Sequence, residues 1–283
     1  MDMNDTIIAK GRTAVITGAA KGLGAAAARR LAAEGMRLSL FDRDAEGLKT
    51  LATSLGSDVD AICVLGDVTV ENDLKRLQER TFAQFGEVAL LMNNAAIKEG
   101  ASPWGKPCDW LLQLNANLFS IITMQHLFVP NMMAQEGRSA IVNLGSKEGI
   151  TTPPGNAAYS VAKAGVKVLT EQLAHELRNH IGGKVTAHLL VPGYTWTPMN
   201  FPGMDETTDS QPSAAWSAHQ VIDYFIEHFR QGDFYIICPD NEVTTAMDKK
   251  RIAWASQDIL NNRPALSRWH PEWKMAFEEW MAS

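Results

Sequence analysis

Short apolar runs alternate with helix-forming segments along most of the chain. Runs rich in β-branched and other apolar residues predict strands at 13–17, 37–41, 60–65, 88–92, 140–144, 185–191 and 234–238. Segments rich in Ala, Leu, Glu and Lys predict helices at 22–34, 45–55, 71–85, 109–136 and 159–179. Pro130 is expected to bend the fourth helix or to mark a joint in it. This alternation predicts an α/β fold, a single-domain doubly wound parallel sheet (Rossmann-like) with helices on both faces.

Two regions depart from this alternation. Residues 194–216 contain Pro198, Pro202 and Pro212 together with several Ser, Thr and Asp residues. A loop this long inside a compact domain is commonly functional, so we expect a substrate lid here. Residues 240–283 form a C-terminal extension with four tryptophans. Neither an internal repeat nor an interdomain linker is evident, so residues 1–283 are expected to form one domain.

Composition and charge exclude several classes of protein. The chain is 46% hydrophobic and 20% charged, which is ordinary for a soluble globular protein. Its net charge of -6 argues against a nucleic-acid partner, because phosphate backbones need a basic face. The three cysteines and seven histidines show no metal-ligand or disulfide spacing, so no metal is expected. We find neither a membrane span nor a signal segment, and we expect a cytoplasmic protein without membrane contact.

A glycine-rich segment joins the first predicted strand to the first predicted helix. Gly18 permits a tight turn, and Gly22 and Gly24 let the backbone approach a pyrophosphate at the helix N-terminus. The spacing is TGxxxGxG and differs from the GxGxxG of longer dehydrogenases, so a turn without a ligand is the alternative. The candidate cofactor residues of this segment are Gly18, Lys21, Gly22, Leu23 and Gly24.

The residue after the second predicted strand favours one nicotinamide cofactor. Asp42 can accept hydrogen bonds from the adenosine ribose hydroxyls and repel a 2′-phosphate, which favours NAD over NADP. Lys21 and Arg43 argue for the opposite preference, because a basic group at either position could meet a 2′-phosphate. A solvated surface charge is the alternative interpretation of all three residues, and we favour it for Lys21 and Arg43. We therefore expect NAD, with NADP less favoured.

A tyrosine and a lysine share one face of a predicted helix. Tyr159 and Lys163 are four residues apart, and an ammonium beside a phenol stabilises the phenolate and lowers the pKa of the phenol. The pair can exchange a proton with a substrate hydroxyl or carbonyl oxygen. Ser146 follows a predicted strand, where its hydroxyl can hold the substrate oxygen. Taken singly, the pair matches many ordinary helices and the serine many ordinary turns.

Together these motifs resemble the short-chain dehydrogenase/reductase family. The resemblance covers about residues 12–240, and its motifs are specific as an ordered set although each one is weak alone. The residues that carry it are Thr17, Gly18, Gly22, Leu23, Gly24, Asp67, Val68, Asn93, Asn94, Ala95, Ala96, Asn117, Leu118, Ser146, Tyr159, Lys163, Pro192, Gly193 and Thr197. The resemblance implies an NAD(P)-dependent enzyme that acts on CH–OH groups and assembles as a homodimer or homotetramer.

The resemblance also implies a catalytic tetrad. Tyr159 would be the general acid/base, and Lys163 would lower its pKa and hold the nicotinamide ribose. Ser146 would orient the substrate oxygen, and Asn117 would hold a water in the proton relay. Asn115 is a rival for the last role, but Asn117 precedes Leu118 as the family pattern has it.

Further positions would contact the cofactor by the same resemblance. Asp67 and Val68 would flank the adenine, Asn93 and Ala95 would line the cofactor cleft, and Thr197 would meet the nicotinamide carboxamide. The remaining candidates are Arg43, Asn94, Ala96, Pro192, Gly193 and Thr195.

The substrate walls are the least defined part of the site. Aromatic, Met and Lys side chains beside the catalytic motifs indicate a hydrophobic or aromatic small alcohol or ketone, and core or interface packing is the alternative. These substrate candidates are Trp104, Lys147, Trp196, Met199 and Phe201. Lys147 and Glu148 stand where the family often has small residues. They either lie at the cleft mouth and affect substrate choice or form a solvated pair, and we favour the solvated pair.

Within the C-terminal extension, residues 262–273 (NRPALSRWHPEW) resemble the tails of some bacterial members, including Cα-dehydrogenases of lignin-derived aryl ethers. Its tryptophans are candidates for covering a neighbouring subunit. The sequence thus predicts an NAD(H)-dependent oxidoreductase that interconverts a secondary alcohol and a ketone. The alternatives are an NADPH-dependent ketone reductase of a biosynthetic pathway and a non-catalytic nucleotide-binding regulator on the same fold.

Overall fold

The structure is a computed structural model that describes residues 6–204 and 208–283. The strands of the described residues are β1 (Thr13–Thr17), β2 (Arg37–Asp42), β3 (Ala61–Leu65), β4 (Leu90–Asn93), β5 (Ser139–Leu144), β6 (Val185–Val191), β7 (Thr195–Trp196), β8 (Trp216–Ser217) and β9 (Tyr235–Ile237). Seven of them form a sheet in the order β3-β2-β1-β4-β5-β6-β9, and each neighbouring pair is parallel. This confirms the predicted doubly wound parallel sheet.

Helices cover both faces of this sheet. In the described residues they are α1 (Gly22–Ala33), α2 (Ala45–Leu55), α3 (Glu71–Phe85), α4 (Pro107–Leu114), α5 (Ser120–Ala134), α6 (Glu148–Thr151), α7 (Ala157–Ile181), α8 (Ala218–Arg230), α9 (Thr245–Leu260) and α10 (Lys274–Ala282). Apolar side chains of α1, α2 and α8 pack on one face, and those of α3, α5 and α7 pack on the other. Because both faces are covered, strands such as β1 are buried at every residue, which explains their unbroken apolar runs.

The long helix predicted at 109–136 is two helices. The π-helical segment Asn115–Phe119 joins α4 to α5, so the change of geometry lies there and not at Pro130. Pro130 instead lies inside α5, which ends at Ala134. A π-helical turn accommodates an extra residue within a continuous helix and is often found at functional sites.

Helix α8 was not predicted, although its signals are present in the sequence. Ser217 and Gln220 form a capping box in which each side chain bonds the backbone of the other. Val221, Ile222 and Phe225 then recur at helical spacing and are buried against α1. The start of α8 was missed because the prolines and polar residues of 194–216 predict one long loop that runs up to it.

Residues 194–216 are only partly described. Strands β7 and β8 pair in parallel at Thr195 with Trp216 and at Trp196 with Ser217, so the two ends of the region are tied together. Residues 205–207 of this region lie outside the described residues. The expected substrate lid stays a prediction.

The C-terminal extension folds around one tryptophan. Trp254 on α9 is 3% exposed, and its ring lies 6.2 Å from that of Trp273, 5.3 Å from Phe277 and 5.9 Å from Trp280. The guanidinium of Arg263 stacks 4.5 Å from the Trp254 ring centroid. Three of the four tryptophans proposed as subunit contacts therefore pack on one another within the chain.

Two searches of the described residues gave no candidate. No helix within 6–204 and 208–283 is both long and apolar enough to cross a membrane. Over the same residues, no cluster of three or more His, Cys, Asp or Glu side chains is arranged to hold a metal ion.

Phe225 provides a test of the packing between α8 and the sheet. It is fully buried, so Phe225→Ala should lower the free energy of unfolding by about 3–5 kcal/mol. His219→Ala on the exposed face of the same helix is the control and should change it by about 0.5 kcal/mol or less. Urea unfolding followed by circular dichroism measures both, and equal small effects would show that α8 does not pack as described.

Candidate active site

A cleft of about 600 Å³ opens where the strand order reverses between β1 and β4. At this point the chain leaves the carboxyl ends of adjacent strands toward opposite faces of the sheet, which makes a natural ligand crevice. The predicted cofactor residues that line it are Gly18, Lys21, Gly22, Leu23, Asp42, Arg43, Asp67, Val68, Asn94, Ala95, Ala96 and Thr197. Those that lie outside its lining are Gly24, Tyr159, Lys163, Pro192, Gly193 and Thr195.

The side chain of Asn94 holds the glycine loop against the end of β4. Its Nδ2 donates to the backbone oxygens of Thr17 and Gly18, both at 3.0 Å. In return, Thr17 Oγ1 accepts hydrogen bonds from the backbone N–H groups of Asn94 and Ala95. A side chain on Gly24 would place its Cβ 2.0 Å from the Gly18 oxygen, so only glycine fits this close approach.

Asn93, expected to line the cleft, is turned into the protein interior. Its Nδ2 donates to Asn143 Oδ1 at 2.8 Å, and Asn143 Nδ2 donates to Thr170 Oγ1 at 2.9 Å. This buried chain ties β4 to β5 and α7. Asn93 therefore supports the cleft from behind.

The glycine loop and α1 fit a dinucleotide pyrophosphate. Lys21 caps α1 without a side-chain hydrogen bond, and the first turn carries no acidic residue. The first N–H groups of α1 and the positive end of its dipole are therefore available to an anion. A Cβ on Gly22 would lie 3.3 Å from the Thr197 side chain. The glycine therefore leaves space in the cleft between these two residues.

Three carboxylates, those of Asp42, Asp44 and Asp67, line the cleft beside the end of β2. Asp42 accepts hydrogen bonds from the backbone N–H groups of Ala20 at 2.9 Å and Asp44 at 3.0 Å, which fixes it at the end of β2. Both nearby cations are paired, because Lys21 Nζ lies 2.6 Å from Asp44 and Arg43 lies 3.9 Å from Asp67. With three carboxylates and two cations, this end of the cleft is negative.

Tyr159, Ser146 and Lys163 meet below the end of β5. Tyr159 lies in the first turn of α7 and is 6% exposed, and the Ser146 hydroxyl is close enough to act on the pKa of its phenol. Lys163 is fully buried one turn later, and its Nζ donates to the Leu144 carbonyl oxygen at 2.7 Å. The ammonium lies 5.7 Å from the Tyr159 ring centroid. The structure thus brings these three predicted residues together.

Burial shifts the two titrating groups in opposite directions. It raises the pKa of Tyr159 to about 12, with a further contribution from the negative charge of Glu148, while the Ser146 hydrogen bond acts the other way. It lowers the pKa of Lys163 to about 7. The pKa of Tyr159 is therefore raised, and not lowered by Lys163 as the sequence implied.

Asn117 lies in the π-helical segment and is completely buried. Its Oδ1 accepts from the backbone N–H of Ile97 at 2.9 Å, and its Nδ2 donates to the Ile97 oxygen at 3.0 Å and to Gln113 Oε1 at 2.9 Å. Asn117 therefore fixes the loop after β4 beside the cleft. Asn115, the rival, is exposed.

The two residues after Ser146 form ion pairs, and sequence reasoning missed their partners. Lys147 Nζ lies 2.6 Å from Asp248 on α9 and 3.7 Å from Asp240. Glu148 lies 2.7 Å from Lys98 Nζ, in the loop after β4. The residues are thus not a solvated pair with each other, as we favoured. Their departure from the family's small residues was the available signal, but the sequence did not show their partners.

Of the predicted substrate residues, only Met199 lines the cleft. The Trp104 side chain is 88% exposed, Trp196 is half-buried in β7, and the Phe201 ring lies 5.4 Å from that of Tyr194. Lys147 is held by the C-terminal extension through its ion pairs. Other residues outside the predicted set that line the cleft include Ile97, Lys98, Glu99 and Leu112.

Comparison with known proteins identifies the family. Residues 12–206 match the short chain dehydrogenase family. The chain belongs to this family and is an oxidoreductase that acts on CH–OH groups.

Individual relatives cover most of the chain. The 3-oxoacyl-(acyl-carrier-protein) reductase of Thermotoga maritima is 33% identical over 67% of this chain and 76% of its own length. A short chain dehydrogenase/reductase from Burkholderia phymatum, solved with NAD, superposes with a TM-score of 0.80 at 29% identity over 90% of this chain and 96% of its own. A metagenomic short-chain oxidoreductase solved with NADP gives a TM-score of 0.67 at 25% identity over 82% and 98%. Family members thus bind either nucleotide.

The buried lysine predicts a pH-dependent stability. In the unfolded chain Lys163 keeps its proton up to its ordinary pKa of 10.5, whereas the folded protein releases it near pH 7. The unfolded state therefore binds more protons in this window, and the lysine's destabilising effect fades as pH rises. Relative to Lys163→Met, the wild type should gain up to about 1.4 kcal/mol of unfolding free energy per pH unit between roughly pH 7 and 9.5.

Urea unfolding of both proteins across this window measures the difference. Lys49→Met, at an exposed position of α2, is the control and should follow the wild type at every pH. Parallel curves for the wild type and Lys163→Met would contradict a lowered pKa.

Proposed function

We propose that the protein is an NAD(H)-dependent oxidoreductase that interconverts a secondary alcohol and a ketone, with Tyr159 as its general acid/base. The observation that carries this is the buried Tyr159 beside Lys163, whose Nζ bonds the oxygen of Leu144, a residue that lines the cleft. The nicotinamide supplies hydride transfer when it is bound. The side chains supply orientation and the movement of the proton.

The proton steps follow from the contacts of each side chain. Ser146 would hold the substrate oxygen next to the Tyr159 hydroxyl, because its own hydroxyl is close enough to act on that phenol. Tyr159 donates its proton to a ketone oxygen during reduction and takes it from a hydroxyl during oxidation. Lys163 favours the phenolate whenever its amine is protonated, and its low pKa keeps that proton exchangeable near neutral pH. Asn117 holds the loop that closes this end of the cleft.

The negative end of the cleft supports NAD as the cofactor. A 2′-phosphate there would face Asp42, Asp44 and Asp67, and the two cations that could bind it are already paired with carboxylates. An NADPH-dependent reductase remains the second candidate, because Lys21 and Arg43 are both exposed and a phosphate could compete for them. A regulator without catalysis would have no need of a buried Tyr–Lys pair, and all four tetrad residues are present here.

The substrate is a small molecule with an apolar body. Ile97, Leu112 and Met199 line the cleft and offer it a packing surface. The aromatic substrate suggested by the sequence has less support, because Trp104, Trp196 and Phe201 do not line this cleft.

We also propose that the chain assembles as a homodimer or homotetramer. Successive helices expose apolar side chains that a second copy could cover, including Leu111 on α4, Ile122 on α5, and Val161 and Val168 on α7. Exposed apolar patches of this kind commonly mark subunit interfaces.

Replacing the tyrosine hydroxyl tests the proposed acid/base. Tyr159→Phe should lower kcat by about 10²–10⁴-fold, because the proton donor is removed while the ring is kept. Binding of NAD, followed by tryptophan fluorescence, should stay nearly unchanged. Tyr235→Phe on the edge strand is the control and should keep full turnover. Unimpaired turnover by Tyr159→Phe would contradict the assigned role.

Neutralising Asp42 tests the cofactor choice. Asp42→Asn removes the charge that faces a 2′-phosphate, and the ratio of kcat/KM with NADP to that with NAD should rise about tenfold or more. Asp58→Asn makes the same charge change at an exposed position outside the cleft and should leave the ratio alone. An unchanged ratio in Asp42→Asn would remove the basis for choosing NAD.

A further inference from the structure

The ion pair between Lys98 and Glu148 lies beside the reacting end of the cleft. The two side chains come from different segments, the loop after β4 and the start of α6, and meet at 2.7 Å. Lys98 Nζ lies 5.6 Å from the Tyr159 ring centroid, which matches the 5.7 Å of Lys163. The Tyr159 ring is therefore approached by two lysines, and Lys98 lines the cleft.

This pair has hydrogen-bonding capacity that the protein does not use. A lysine ammonium can donate three hydrogen bonds. Within residues 6–204 and 208–283, Lys98 forms an ion pair with Glu148. Both side chains are partly exposed, Lys98 at 34% and Glu148 at 18%, so solvent can reach them. A substrate seated on Tyr159 would shield them from solvent. An apolar substrate would leave the charged groups short of partners, at a cost in binding.

The charges around the pair indicate what kind of group takes the place of solvent. The pair itself is neutral overall, and Glu99 beside it in the cleft lining adds a negative charge. An anionic substrate group would be repelled by the carboxylates, and a cation would meet Lys98. A neutral oxygen can accept from the ammonium and, if it is a hydroxyl, donate to the carboxylate.

We propose that the Lys98–Glu148 pair selects secondary alcohols and ketones that carry a second neutral oxygen, a hydroxyl or carbonyl, within one or two carbons of the reacting carbon. This inference rests on the proposed function, since Tyr159 fixes where the reacting carbon lies. The apolar side chains Ile97, Leu112 and Met199 then pack on the rest of the substrate. Specificity of this kind is steep, because a site built to bond a polar group rejects analogues that lack it.

Matched substrates test the selection. We would measure kcat/KM with the nucleotide that the protein uses for cyclohexanol against 1,2-cyclohexanediol, and for 1-phenylethanol against 1-phenyl-1,2-ethanediol. The diols should be preferred by about tenfold or more, as expected for one hydrogen bond to a charged group. The double variant Lys98→Met/Glu148→Gln keeps the size of both side chains and should lose this preference. The single variant Glu148→Gln should reduce it.

The control is a second lysine–glutamate pair with the same separation. Lys75 and Glu71 on α3 also lie 2.7 Å apart but outside the cleft, so Lys75→Met/Glu71→Gln should keep the wild-type preference. The ratio of two substrates in one protein cancels any general effect of Glu148 on Tyr159, since both substrates use the same tyrosine.

A binding measurement separates this inference from the proposed function. Calorimetric titration of 1,2-cyclohexanediol and cyclohexanol into the protein with NADH present should show tighter binding of the diol, and the double variant should abolish the difference. Equal dissociation constants for the diol and the monool in the wild type would contradict the selection, as would a preference that persists in the double variant. Neither result would contradict the proposed oxidoreductase activity. Absence of turnover for every alcohol and ketone with both nucleotides would instead contradict the proposed function, and the binding ratio would still decide the selection.

Discussion

The reversal of strand order between β1 and β4 determines where everything else in the protein lies. All seven strands of the main sheet are parallel, so their carboxyl ends meet along one edge. Helix α1 then packs on one face and α5 on the other, and the two exits leave a crevice that side chains cannot fill. The amide of Asn94 bridges this crevice at its base by bonding the glycine loop. The glycine loop and the end of β4 are therefore held together by the same few hydrogen bonds.

Lys163 is a buried charged group whose environment shifts its pKa. A fully buried lysine destabilises the fold when it is charged. Here the Nζ of Lys163 donates a hydrogen bond to the backbone oxygen of Leu144. Burial pushes the pKa of Tyr159 up and that of Lys163 down, so each group lies far from its ordinary value. Oppositely perturbed neighbours in a cleft are typical of proton-transfer sites.

Local features of the fold were predictable, and distant contacts were not. Strands such as β1 are buried on both faces, so each is an unbroken apolar run, and the glycine loop depends on backbone geometry next to it in the chain. Helix α8 carried local signals too, but the proline-rich region before it obscured them. The partners of Lys147 and Glu148 lie far away in sequence, and no pattern pairs them. Trp104 had a suitable side chain for a substrate wall, but residue type does not reveal that the loop turns it into solvent.

The two charges after Ser146 show how a common fold acquires individual features. Consecutive residues at the start of a helix point in different directions, so Lys147 reaches the C-terminal extension while Glu148 reaches the loop after β4. The small residues often found at these positions in the family could make neither contact. Here the segment that carries Ser146 is fixed from both sides, by Asp248 on α9 and by Lys98. The extension therefore helps to hold the segment that carries Ser146, although none of the residues 240–283 lines the cleft.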